Sequence, residues 1–139
     1  MRATILPLLL AASSATPAFA ETPGVFVRPG ENVIFRLDHG QPVGMRPATA
    51  QDQPAAGEIE VSLATSPQGS MMKVVNNTPD FLSYRAFITP TANATGKRTS
   101  VCTLMNNGRM SFENWPGLPI PGIRLSDFSV APADQMACR

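Results

Sequence analysis

The chain of 139 residues holds one histidine (His39), two cysteines (Cys102 and Cys138) and seven methionines, and these side chains bound its chemistry. A blue-copper site takes two histidines and a cysteine, and a catalytic zinc site usually takes two or three histidines, so one imidazole builds neither within the chain. A serine or cysteine triad would have to use His39 as its base. That residue stands in Asp38-His39-Gly40, which has the composition of a surface turn. No G-x-S-x-G elbow occurs, and a small secreted hydrolase is the third reading. Ten acidic residues always offer some carboxylate pair, so glycosidase spacing carries no signal. Neither G-x-x-x-x-G-K-[ST] nor G-x-G-x-x-G is present, which removes the phosphate-cradling loops.

Thioether sulfur suits Cu(I), so Met71 and Met72 with His39 form an alternative metal site, that of a periplasmic copper-handling protein. Adjacent residues on a strand point to opposite faces, which opposes that site, and methionine also fills irregular gaps in cores. The sequons Asn76-Asn77-Thr78 and Asn93-Ala94-Thr95 matter only in a eukaryotic secretory pathway. The alanine-rich leader reads as bacterial, and both sequons are uninformative. The chemistry therefore points to no enzyme and to no cofactor.

Residues 1 to 20 read as a cleaved signal peptide, with Arg2 as the positive start, Ile5 to Ala12 as the apolar stretch and Ala18-Phe19-Ala20 as the cleavage motif. The apolar run is interrupted by Pro7 and is far shorter than the ~20 residues that span a bilayer. No cysteine follows the cut, so no lipid anchor is expected, and the mature chain is expected in the periplasm or outside the cell. It has 139 − 20 = 119 residues, enough for a single domain over 21 to 139. Loss of Arg2 leaves ten basic and ten acidic residues. Without a basic excess, nucleic acid is not an expected partner.

Export places Cys102 and Cys138 in an oxidising compartment, and an even count favours one bridge. Closing a loop of 138 − 102 = 36 residues stabilises a fold by roughly 3 to 4 kcal/mol. Proline and glycine interrupt the mature chain so often that no long helix fits. Between them lie runs of period-two alternation, about eight in all: Val25 to Arg28, Asn32 to Leu37, Glu58 to Leu63, Met71 to Val75, Leu82 to Ile88, Ser100 to Met105, Arg109 to Phe112 and Ile123 to Val130. In the cleanest, Ile59, Val61 and Leu63 point inward while Glu58, Glu60 and Ser62 face solvent.

The fold class read from this spacing is all-β, an antiparallel β-sandwich or barrel. The parity change between Leu125 and Phe128 is met by a bulge at Ser126-Asp127 or by a strand buried on both faces. Residues 42 to 57 are poor in apolar side chains and read as a flexible loop. Asn114 to Gly122 is expected to run extended, with Trp115 capping the core or, less favoured, exposed for a ligand.

Tyr84-Arg85-Ala86, Val101-Cys102, Glu113-Asn114-Trp115-Pro116, Ile123 to Phe128 and Cys138 carry a resemblance over the C-terminal half. They resemble small secreted proteins of Gram-negative bacteria without assigned activity, which implies an immunoglobulin-like sandwich. The Asn-rich turn before Phe81 is similar to sandwich domains of periplasmic pilus chaperones. The expected function is a non-enzymatic exported binding or structural module whose partner is another exported protein or an envelope component. Its candidate binding surface comprises Trp115, Leu118 and Ile120 on one segment and Arg85 and Phe87 on another.

Overall fold

The alternating runs become nine strands among the described residues of the computed structural model, which describes residues 23–139. The leader and its cleavage motif lie outside the described residues. The strands are β1 (Val25–Val27), β2 (Asn32–Asp38), β3 (Gln41–Pro47), β4 (Glu58–Ser66), β5 (Gly69–Asn77), β6 (Phe81–Ile88), β7 (Lys97–Thr99), β8 (Arg109–Pro116) and β9 (Ile123–Ala131). They form a four-stranded sheet in the order β1-β9-β6-β7 and a five-stranded sheet in the order β3-β2-β4-β5-β8, with every pair antiparallel. The chain changes sheet four times, between β1 and β2, β5 and β6, β7 and β8, and β8 and β9.

The inner faces meet over one core, to which Phe35, Ile59, Val61, Leu63, Met72 and Val74 come from the larger sheet and Val25, Val27, Leu82, Tyr84, Ala86, Ile123 and Leu125 from the smaller. This is an antiparallel β-sandwich, as the spacing predicts. Phe128 sits between Phe35 and Tyr84, with ring centroids 5.6 and 5.4 Å away. The Tyr84 hydroxyl is buried and has no hydrogen-bond partner among the described residues. Burial, with the nearby Glu113 carboxylate, holds its pKa above the ordinary value.

The β6–β9 register slips between Ser83 and Arg85, where Asp127 adopts φ 54°, so the bulge at Ser126-Asp127 is present. It returns Phe128 to the core face. The turn between β2 and β3 docks against it, because His39 and Gly40 both take positive φ, as a type I′ hairpin requires. A Cβ at Gly40 would come within 2.4 Å of the Phe128 carbonyl oxygen, while the Phe128 N–H donates to the Gly40 carbonyl at 2.9 Å. Glycine is needed there on both counts.

Three expectations are corrected. Residues 42 to 57 are not a free loop: residues up to Pro47 belong to β3, and the remainder is a strap laid over the outer face of the larger sheet. The strap is tied by Ala48 N–H to Asn32 O (2.8 Å), Asn32 Nδ2 to Thr49 O (3.1 Å), Asn77 Nδ2 to Pro54 O (2.9 Å), Ala55 N–H to Glu58 Oε1 (2.8 Å) and Gly57 N–H to Asn77 O (2.7 Å). For the same reason Glu58 and Glu60 do not face water; they are 2% and 3% exposed. Finally, the run Ser100 to Met105 is not a regular strand. The strand before it is β7, and Cys102 and Leu104 make only single bridges, to Cys138 and Leu82.

The disulfide Cys102–Cys138 is formed. Around it Val101 and Arg139 exchange two main-chain hydrogen bonds of 2.8 Å, and Thr103 N–H donates to Ala137 O at 2.9 Å. The last residues thus extend the smaller sheet past β7 as a short outer ribbon.

Candidate functional site

A sheet edge with unpaired main chain is a place where another strand can add, and proteins blunt edges they do not use. Three of the four edges here are blunted. β3 carries Pro42, Gly44 and Pro47, β1 is three residues long, and the β7 side is covered by the ribbon at Cys138. The fourth, β8, pairs with β5 on one side and with no described strand on the other. It runs from Arg109 to Trp115 without proline or glycine.

Main-chain direction on β8 follows from one bond. Gly117 N–H donates to Gln68 O at 2.8 Å, continuing the pairing of Gly69 with Pro116, so the odd-numbered residues bond β5. The N–H and C=O groups of Met110, Phe112 and Asn114 then point to the free edge. On the outer face Phe112 lies opposite Lys73 and Met110 opposite Val75, with Met71 opposite Asn114. Met71, Met110 and Phe112 are 41%, 57% and 52% exposed, an apolar strip beside an open edge.

The inner face of β8 is anchored. Glu113 Oε1 accepts the Cys102 N–H at 2.7 Å, and Trp115 Nε1 donates to Thr99 Oγ1 at 2.8 Å. Trp115 is half-buried against the core, the capping role. Ile120 is not a surface residue: it is 1% exposed, and its N–H donates to Ser70 Oγ at 2.9 Å. Of the three candidate residues on that segment, Trp115, Leu118 and Ile120, only Leu118 is exposed. Arg85 and Phe87 do share the outer face of the smaller sheet. The Arg124 guanidinium lies 5.0 Å over the Phe87 ring and bonds the carbonyls of Ala94 and Thr95, so Arg124 pins the β6–β7 loop.

Under the strap, Glu58 accepts a bidentate pair from Arg46 at 2.5 and 3.1 Å, with Arg36 3.8 Å away, while Glu60 meets Lys73 at 3.8 Å. The Arg46 bond, reinforced by the Ala55 N–H, draws the Glu58 carboxyl down to about 2. Beside this network a cavity of about 600 Å³ opens between β1 and the β2–β3 pair, walled by Phe26, Val33, Met45 and Pro47. Asn32 Oδ1 is buried and has no hydrogen-bond partner among the described residues. Walls of this kind can hold an apolar group. Asn32, Arg46 and Arg124 have no sequence signature, since each takes its role from a distant segment.

The metal alternative is dispersed. Met71 is exposed while Met72 is fully buried on the other face. His39 lies four residues past Phe35, which pairs with Ile59, whereas Met71 pairs with Ala64. Five residue steps of β4 already put about 17 Å between those levels. Among the described residues no group of three His, Cys, Asp or Glu is placed to hold a metal ion. His39 Nδ1 is 2.7 Å from Asp38 Oδ1, and no hydroxyl among the described residues bonds the ring. No described helix is long and apolar enough to cross a membrane. No family model matches the chain, and neither a curated protein nor a solved structure matches it.

Proposed function

We propose that the protein is a non-enzymatic exported binding module that accepts an extended strand of another exported protein along β8. One observation carries the reading: β8 alone among the described edges is long, unblunted and flanked by exposed apolar side chains. Strand addition draws affinity from main-chain bonds and specificity from alternate side chains. Here Met110, Phe112 and Asn114 supply the main chain, and the strip of Met71, Met110 and Phe112 receives the partner's apolar side chains. Export is supported by the leader pattern and fits the formed disulfide.

The test is a photo-crosslinking amino acid at position 112, compared with one at Val43 on the blunted edge, in cells that make the protein. A discrete adduct with an exported protein at 112 and none at 43 is the expected result. No adduct at 112, equal adducts at both positions, or an adduct with a second copy alone overturns the reading.

A further inference from the structure

Three arginines from three separate segments converge on the outer face of the smaller sheet. Arg85 on β6, Arg98 on β7 and Arg139 on the terminal ribbon line a cleft of about 310 Å³, together with Ser83, Ser129 and Asp127. The register builds this cluster. Ser83 faces Ser129 across β6 and β9, Arg98 faces Phe87 across β6 and β7, and Arg139 is held by its two bonds to Val101 beside the disulfide.

The charges here are not neutralised as those under the strap are. On the larger sheet Arg36, Arg46 and Lys73 each meet Glu58 or Glu60. In the cleft Arg85 reaches Asp127 only at 4.0 Å, with both side chains about half exposed, and Arg98 and Arg139 make no side-chain bond or ion pair among the described residues. Like charges held together on a sheet repel, and a bound anion relieves that repulsion. Three guanidinium groups against the single Asp127 side chain leave an excess of positive side-chain charge, which a phosphate anion offsets. Guanidinium forks match phosphate oxygens bidentately, and serine hydroxyls add neutral donors.

We infer that this cleft is a binding site for a phosphate monoester group, borne on a soluble molecule or on a lipid headgroup. Arg98 and Arg139 grip the oxygens, and Arg85 shares itself between ligand and Asp127. The disulfide is part of the site, because it holds the ribbon that brings Arg139 there. The inference stands apart from the β8 reading, since the two surfaces lie on different sheets.

The test titrates the oxidised protein with inorganic phosphate by calorimetry. In parallel, it is co-sedimented with phosphatidylcholine vesicles with and without phosphatidic acid. Saturable binding is expected in at least one arm, weakened at least about tenfold by Arg98→Ala and by Arg139→Ala. Arg109→Ala, on β8, is expected to leave it unchanged. Binding to free phosphate alone identifies a soluble ligand, and a requirement for phosphatidic acid identifies a headgroup. The Cys102→Ser/Cys138→Ser protein should bind as weakly as Arg139→Ala. No saturable binding in either arm, or equal weakening by Arg109→Ala, overturns the inference.

Discussion

Glu58 shows how far one residue's environment departs from its place in a pattern. On alternation alone it belongs to a solvent face, and it is buried because the strap folds back over that face and brings Arg46 with it. Nothing local in Glu58-Ile59-Glu60 announces this, since the charge partner Arg46 lies 12 positions away. A depressed carboxyl has a defined consequence. Folding stabilises the ionised form, so the contribution is present above the ordinary value of 4.5 and is lost as pH falls towards about 2. The melting temperature should therefore fall across that window, and Glu58→Gln should remove this part of the fall while lowering stability at pH 7. Equal pH profiles for the two proteins would show that Glu58 is not the group responsible. Trp115→Phe should cost about 1 kcal/mol in urea unfolding by deleting the bond to Thr99. Because the tryptophan caps the core, the substitution should leave capture at β8 intact.

Strands were legible wherever two conditions held together, period-two alternation and a run free of proline. That is why β2, β4, β5, β6 and β9 follow from the sequence. β3 was hidden because its prolines and glycine are the signature of a loop; an edge strand bonded on one side tolerates them. The 100 to 105 run misled in the opposite direction, since its apolar residues pack without a continuous ladder. The β9 bulge was visible as a parity change, and it makes a prediction at this scale. Asp127 adopts φ 54°, so Asp127→Gly should keep or raise the melting temperature. Asp127→Val should cost about 1–2 kcal/mol. Equal stabilities would mean the bulge relaxes when the residue is changed. On β8, Phe112→Pro removes a main-chain donor that β5 does not use, so it should abolish strand addition while preserving the unfolding midpoint. A large loss of stability would show that the even-numbered residues are bonded to β5 after all.

For the molecule as a whole, the sandwich and its single bridge were readable from composition, spacing and cysteine count, whereas the surfaces were not. Edges and clefts arise from which strands end up outermost, a property of strand order that no local pattern encodes. The bridge closes a loop of 36 residues, and Cys102→Ser/Cys138→Ser should lower stability by roughly 3 to 4 kcal/mol in reversible denaturation. A loss below about 1 kcal/mol would mean that the ribbon holds without its staple. The proline-studded β3 edge has a further consequence when set against β8. A sheet open at both ends can lengthen indefinitely, each added strand exposing a fresh acceptor on the far side. Here the five-stranded sheet is open at one end and fenced at the other, so this protein has a valence of one. Strand addition of the kind proposed at β8 therefore stops at this protein and does not propagate through the larger sheet to its other edge.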